Sequence, residues 1–248
     1  MSPNTLGTDP VHVMERTDSE RSGSAKPAAT TALSDRELCD RFEVIPTAAI
    51  NDVLRSKGLI QQVLPPSVEG LEPSMRVAGI AFTIKGSKNL QLANEMEERA
   101  AMLEAIPQDA VCVWDTSNDD ESAQWGEVMT MAAQRQGCRG AIVDGGVRDT
   151  DKILELDFPV FCRYRTSNGM LGRFRMSAWQ VPVRIGQVTI HPGDITVGDI
   201  DGVIIVPRAL AEETLVEAER IQFDEISLKK MITDGIAPRE VVERGGYF

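Results

Sequence analysis

The sequence predicts an α/β protein: one mixed sheet with a parallel β-α-β centre and antiparallel hairpins toward the C-terminus. Two observations carry this. Between residues 109 and 165, short apolar runs alternate with segments of helical period, and the links are short enough for parallel crossovers. Beyond residue 180 the pattern changes to short β-branched runs broken by IGQ, HPGD and GDIDG, which is hairpin punctuation.

The elements follow in order. Residues 1–33 are rich in Ser, Thr, Pro, Ala and charge and have neither an apolar period nor a signal-like core, so they read as a disordered or extended tail. Residues 34–248 read as a single domain. Ser34 and Glu37 have the spacing of a capping box, opening a short helix to about Phe42. TAAINDVLRSKG follows Pro46 and sets Ala49, Val53 and Leu54 on one helical face, with Gly58 as the stop. RVAGIAFTIKG (76–86) alternates and is β-branched, as a strand should be. NLQLANEMEERAAMLEA (89–105) is helical, with Leu92, Met96, Ala100 and Leu103 on one face. DAVCVWD (109–115) is a buried strand, TSNDDESAQ a polar loop, and WGEVMTMAAQRQG (125–137) a helix. RGAIVDGG (139–146) is a strand ending in Gly-Gly. RDTDKILELD (148–157) is a helix, FPVFCRYR (158–165) a strand, 180–206 antiparallel β, and 208–234 a closing helix.

Composition narrows the function. A net charge of −12 repels phosphate backbones, so nucleic-acid binding is not expected. No run of eighteen apolar residues occurs, so no membrane-spanning helix is expected, and the chain reads as cytoplasmic. Cys39, Cys112, Cys138 and Cys162 form no CxxC pair and read as buried reduced thiols. With only His12 and His191 present, a histidine-rich zinc site or a Ser-His-Asp triad lacks material. Any metal should therefore be a hard ion on carboxylates, Mg²⁺ or Mn²⁺.

Candidate chemistry gathers at two loops. Strand 139–146 ends in Asp144-Gly145-Gly146 and is followed by Arg148-Asp149 at a helix start. Glycines let backbone approach a ligand, and a helix N-terminus offers free N–H groups to an anion. Arg148 supplies a planar fork for a carboxylate or enolate oxygen, and Asp149 a hard oxygen ligand. In the plainer alternative Asp149 caps the helix and Arg148 makes a surface ion pair. Trp125-Gly126-Glu127 opens the other helix, and both loops should leave the carboxyl ends of parallel strands, where ligands bind. Glu127 and Asp149 could thus share a site, with the amides of Gly126 to Met129 as an anion cradle; otherwise Glu127 is an ordinary first-turn acid.

At these residues the chain resembles the RraA-like family, which includes 4-hydroxy-4-methyl-2-oxoglutarate/4-carboxy-4-hydroxy-2-oxoadipate aldolases and the ribonuclease-activity regulators. Gly126-Glu127, twenty residues, then Arg148-Asp149 resembles the family's acidic-X20-Arg-Asp signature. PTAAINDVL, RVAGIAFTIKG, GGVRDTDKILELDFPVFCR and VTIHPGDITVGDIDGVIIVP resemble further family blocks in the same order, over about residues 40–235. The resemblance implies a swivelling β/β/α-type sandwich that assembles as homotrimers or hexamers with sites between subunits. It implies a metal-dependent pyruvate lyase acting on a small 2-oxo acid. Asp149 would bind the divalent ion, Glu127 would hold its waters, and Arg148 would bind the ketone oxygen and steady the enolate. The amides of Gly126, Glu127, Val128 and Met129 would hold the pyruvyl carboxylate. Asn89 is what remains of the family's Gly-Asp-Asn, here Ser87-Lys88-Asn89. Glu225 (or Asp224) is the nearest match to a C-terminal acid that reaches a neighbouring subunit's site.

Other residues compete for roles. Lys152 stands where the aldolases carry an acid, and a lysine Schiff base is the rival route to the same cleavage. His191, Asp199 and Asp201 lie in turns and read as turn chemistry. Arg163, Arg165, Arg173, Arg175 and Arg184 could line a pocket for a polyanion or pair across an interface. The alternative function is a non-catalytic regulator that grips a ribonuclease.

Overall fold

The computed structural model describes residues 33–246, so the expected N-terminal tail lies outside the described residues except for Leu33. Asp35–Glu43 (α1) starts where the capping-box spacing requires: the Ser34 side chain accepts from the Glu37 N–H. Thr47–Ser56 (α2) follows. The strands of the first half are Glu69–Gly70 (β1), Val77–Lys88 (β2), Ala110–Asp115 (β3), Ala123–Trp125 (β4), Gly140–Val147 (β5) and Val160–Arg165 (β6). Glu95–Glu104 (α3), Glu127–Arg135 (α4) and Thr150–Glu155 (α5) alternate with them. Phe174–Trp179 (β7), Val183–Ile185 (β8), Val188–Ile190 (β9), Ile195–Asp199 (β10) and Gly202–Val206 (β11) complete the strands. A 3-10 turn at Arg208–Leu210 leads into Ala211–Thr233 (α6), and Pro238–Glu243 (α7) ends the described chain.

One sheet runs β1-β6-β5-β3-β2-β10-β11; β4 adds to β5 and β7 adds to β2. β2, β3, β5 and β6 are mutually parallel, and β10 and β11 are antiparallel, as the sequence pattern required. The chain around Val63 bridges to Ile204 and then enters β1 beside β6, so the sheet curls until its edges approach. Strand alternation explains the continuous apolar runs. Phe82, Ile84, Cys112, Trp114, Ala141 and Val143 face outward under α3, α4 and α5. Their neighbours Ala81, Val111, Val113 and Ile142 face inward, where the separate β8-β9 hairpin plugs the curled sheet. A third cluster joins α1, α2 and α6 to β10 and β11. All four cysteines are free and buried.

Several expectations are corrected. The segment 116–124 is not all loop: Ala123–Trp125 forms β4, so Trp125 belongs to a strand and the helix starts at Glu127. A three-residue strand has too little period to be read. β7 was not expected, and residues 180–206 hold four strands, β8 to β11. The helix expected over 89–105 begins only at Glu95. On its apolar face Leu92 and Met96 are exposed, while Leu103 packs against the core. The tail after residue 234 contains α7, whose Val241 is buried.

β5 has two successive neighbours. Val111–Trp114 of β3 pair with Gly140–Val143; beyond a register shift, β4 pairs with Gly146 and Val147. Gly146 must be glycine there, because a Cβ would lie 2.4 Å from the Ser122 carbonyl oxygen and 2.5 Å from the Tyr164 ring. Gly146→Ala is expected to destabilise the fold by about 1–3 kcal/mol through this overpacking. Urea denaturation measures it; an unchanged midpoint would show that the β4 segment yields freely.

Candidate active site

β4 brings the two sequence-predicted segments together. The Arg148 N–H donates to the Trp125 carbonyl at 3.0 Å, so Gly126-Glu127 lies directly beside Arg148-Asp149. The loop that delivers β4 is held from below. Asp119 Oδ2 accepts from the Ser122 N–H (2.9 Å), Ser122 Oγ (2.7 Å) and Gln124 Nε2 (2.7 Å). Gln124 Oε1 in turn accepts from the Gly146 N–H at 2.9 Å, and the Tyr164 hydroxyl donates to the Ser122 carbonyl at 3.0 Å. Burial alone would raise the Asp119 carboxyl, but the bonds from Ser122 and Gln124 outweigh it and hold its pKa below the ordinary value.

Gly126 precedes α4. Its carbonyl accepts the Thr130 N–H, so the amides of Gly126, Glu127, Val128 and Met129 precede the first intrahelical bond. Trp125 Nε1 donates to Thr130 Oγ1, which itself donates to the Gly126 carbonyl, fixing this first turn. A Cβ on residue 126 would lie 2.9 Å from Asp149 Oδ2 and 3.2 Å from Arg148 Cγ. Glycine is therefore what allows backbone, carboxylate and guanidinium to meet.

Asp149 occupies the N-cap position of α5 in a left-handed conformation, φ 55°, ψ 37°. Such a backbone costs about 1–3 kcal/mol for a non-glycine residue. Its carboxylate does not cap the helix; Oδ2 lies 3.4 Å from Arg148 Nε. The plain capping role is thus not the one seen. Arg148 Nη1 in turn lies under Gly169, where a Cβ would approach it to 2.8 Å.

These groups line a cavity of about 460 Å³, within the range of small-molecule sites. Arg148, Asp149, Gly126, Val128 and Met129 are in its wall, and among the described residues Asp149 is the only carboxylate there. Glu127 is half-exposed outside the wall. Asn89 is elsewhere: its Oδ1 accepts from the Gln91 N–H, and it lines a separate depression with Glu98 and Arg175. Glu225 lies on α6, bonded to Lys229 at 2.6 Å, and Asp224 pairs with Arg220; neither lines the cavity. Lys152 Nζ bonds to Glu155 at 2.7 and 3.0 Å. Of the arginines, Arg163 pairs with Asp144, Arg175 with Glu98, and Arg165 donates to the Leu71 carbonyl; none of the five lines this cavity.

Sequence reasoning missed Gln124, Arg99, Gly169 and Met170 in the wall. A Glu-Arg pair four residues apart on the helix expected over 89–105 was the available signal for Arg99. Nothing local marks 169–170.

No three of His, Cys, Asp and Glu converge as a metal cluster among the described residues. The donor set is one wall carboxylate with Glu127 nearby. That fits a hard ion such as Mg²⁺, which is commonly held by one or two carboxylates, water and substrate.

The model of one family, described as RraA-like (Aldolase/RraA), matches residues 47–205. A protein of Halalkalibacterium halodurans named "Putative 4-hydroxy-4-methyl-2-oxoglutarate aldolase" is 33% identical over 200 residues, covering 81% of this chain and 90% of its own. Among solved structures, one described as belonging to novel cellulases from gut-associated microbes is 45% identical, with TM-score 0.76, covering 83% of this chain and 90% of that one. Streptomyces coelicolor RraAS2, described as an unusual member of the RNase ES inhibitor RraA family, is 26% identical, with TM-score 0.72, covering 80% of this chain and all of that one.

Just inside the sheet from the site, one residue beyond the paired row Trp114–Val143–Cys162, stand Asp115, Asp144 and Arg163. Lys85 pairs in register with Asp115, its Nζ 3.7 Å away. Asp144 is buried, with Arg163 Nε at 3.2 Å. Burial pushes its carboxyl up to about 6; Arg163 opposes the rise and Asp115 adds to it. The folded state therefore holds this proton more tightly than the unfolded chain, whose ordinary value is 3.8. The contribution to stability is full below that value and is lost as pH rises toward 6. Relative to Asp144→Asn, the wild-type protein should lose about 2–3 kcal/mol of stability between about pH 4 and pH 6.5. Parallel urea titrations of the two proteins read this; a pH-independent difference would refute it.

Proposed function

The chain belongs to the RraA-like family, and on that footing we propose that it is a divalent-metal-dependent lyase that cleaves a 4-hydroxy-2-oxo acid to pyruvate and a second carbonyl product. Oxaloacetate decarboxylation, which passes through the same enolate, is the companion reaction. The observation that carries this reading is the contact at Gly126: free helix amides, the Arg148 guanidinium and an uncapped Asp149 carboxylate meet in one cavity wall.

Each group has a task suited to its chemistry. The amides of Gly126 to Met129, at the positive end of α4, hold the substrate's carboxylate. Arg148 donates to the 2-oxo oxygen, where negative charge grows as the carbon–carbon bond breaks. Asp149 would hold the ion, and Glu127, outside the wall, would orient water around it. When bound, Mg²⁺ or Mn²⁺ supplies a Lewis acid for the developing enolate charge. Lys152 suits the Schiff-base route poorly: its bond to Glu155, with that acid's charge, raises its pKa, whereas a nucleophilic lysine needs the opposite. Glycoside cleavage fits poorly too, since it uses two facing carboxyl groups and, among the described residues, this wall has one.

Assembly as a homotrimer or hexamer belongs to the same proposal. Met96, Val128 and Leu171 stand exposed at the cavity wall, an apolar rim that a second copy would cover. Asn89 and Glu225, both outside this protomer's cavity, would then serve a neighbour's site.

Pyruvate release from a panel of 4-hydroxy-2-oxo acids and oxaloacetate, with and without EDTA, tests the reading. Asp149→Ala should abolish release with the fold intact, because the side chain fills no core space. Arg148→Lys should lower turnover on the order of a hundredfold, since lysine keeps the charge but loses the fork. Glu127→Gln should be the mildest of the three. Activity that survives EDTA, or a normally active Asp149→Ala protein, would sink the metal–enolate mechanism. No release from any substrate would bring forward the ribonuclease-regulator reading.

A further inference from the structure

Two cysteines that the proposed chemistry leaves unused touch each other. Cys112 Sγ and Cys138 Sγ are 3.8 Å apart, both buried in the apolar cluster beneath α3, α4 and α5. Cys112 is fixed in β3, with Phe82 of β2 and Ala141 of β5 as its register neighbours. Cys138 belongs to neither a helix nor a strand. It lies in the turn between the end of α4 at Arg135 and the start of β5 at Gly140, just after Gly137, whose φ is 82°. The Ala110 carbonyl accepts from Cys138 Sγ at 3.2 Å and keeps that sulfur turned toward β3. Cys112 has no exposed surface and Cys138 is 6% exposed, so the approach from solvent is on the Cys138 side. Among the described residues, neither Cys39 nor Cys162 has a second thiol within reach. Burial pushes those two thiols up, Cys39 to about 12 and Cys162 to about 11. Within the pair, burial raises Cys112, while the bond from Cys112 lowers Cys138. One sulfur thus keeps its proton and the other ionises more readily, which suits a nucleophile and its resolving partner.

We infer that Cys112 and Cys138 are a redox couple, which a peroxide oxidises to a disulfide that staples β3 to the end of α4. The Cys138 thiolate attacks one peroxide oxygen and the O–O bond breaks. This gives a sulfenic acid and hydroxide, which takes up a proton as water. The Cys112 sulfur then attacks the Cys138 sulfur. Its proton leaves with the sulfenic OH as a second water, and the S–S bond forms. Two thiols thereby lose two hydrogens with their electrons, and hydrogen peroxide is reduced to two waters. A disulfide needs its sulfurs about 2.05 Å apart. The closing movement falls on Cys138, because β3 is paired on both sides and the 136–139 turn lies outside the sheet. The loop so closed runs through β4 and α4, the segment that carries Gly126 and the amides beside it. A cross-link restrains that loop in the unfolded chain and so favours the folded one. None of this depends on which reaction the cavity carries out.

The test treats the native full-length protein with hydrogen peroxide, removes the oxidant, and counts free thiols after denaturation. The count should fall from four to two, with the intact mass lower by two hydrogens. Peptide mapping should place the link between Cys112 and Cys138, and dithiothreitol should restore all four thiols. In Cys138→Ala the remaining thiols should persist through the same treatment. In Cys112→Ala the Cys138 sulfenic acid has no partner and should register as the mass of one added oxygen. The urea midpoint of the wild-type protein should rise on oxidation and return on reduction, while that of Cys138→Ala should not respond. The mapped link in the wild-type protein decides the matter even where an alanine variant fails to fold. Four thiols that survive peroxide in the native state, oxidation without a link, or a link between any other two cysteines would overturn the couple. A Cys112–Cys138 link that leaves the urea midpoint unchanged would overturn the staple.

Discussion

The hydrogen bond from the Arg148 N–H to the Trp125 carbonyl is the contact on which the site depends. β3 pairs with β5 only as far as Val143; the three residues of β4 then take over beside Gly146 and Val147. Without that exchange the chain after Asp115 would leave the sheet, and the α4 amides would have no reason to lie near Asp149. Asp119, Gln124 and Tyr164 hold the exchange in place, each bonded to the 119–124 loop or to Gly146. Two glycines make it sterically possible, Gly146 against Ser122 and Gly126 against Asp149. The polar network under the cavity is thus a positioning device, and the three bonds converging on Asp119 Oδ2 give it rigidity.

The same economy governs charge. The curled sheet buries both faces, so the row Lys85, Asp115, Asp144 and Arg163 closes the apolar interior with alternating pairs in place of isolated ions. The cavity repeats the pattern with Arg148–Asp149 and Glu95–Arg99. In the first pair the carboxylate is half-exposed and free of capping duty, which suits an exchangeable ligand. In the second the carboxylate is buried, which leaves the arginine as the group able to meet a ligand. Two similar ion pairs thus differ chiefly in burial.

Much of this was legible in the sequence. The parallel centre followed from AVCVW, GAIV and PVFC separated by helical stretches, and the C-terminal hairpins from HPGD and GDIDG. The pairing of Gly126-Glu127 with Arg148-Asp149 was legible because both segments follow parallel strands. What failed depended on tertiary context. β4 is too short to show a period, and it exists only because β5 offers it an edge. The Leu92–Met96 face has the period of a core helix, yet Met96 lines the cavity and remains exposed. Periodicity reports that a face is apolar, not what covers it. Residues 169–171 reach the wall because Asn168 accepts the Ala123 N–H, a long-range bond with no local signature.

We propose that Arg148, with an ion held at Asp149, stabilises an enolate in this cavity. The most direct measurement is hydrogen–deuterium exchange at the methyl group of pyruvate in D₂O, followed by NMR, because that exchange requires the enolate and no aldehyde partner. The expected result is exchange that depends on protein and on added Mg²⁺ or Mn²⁺, stops with EDTA, and is lost in Asp149→Ala. Cleavage of a 4-hydroxy-2-oxo acid without any such exchange, or exchange indifferent to metal and to Asp149, would contradict it.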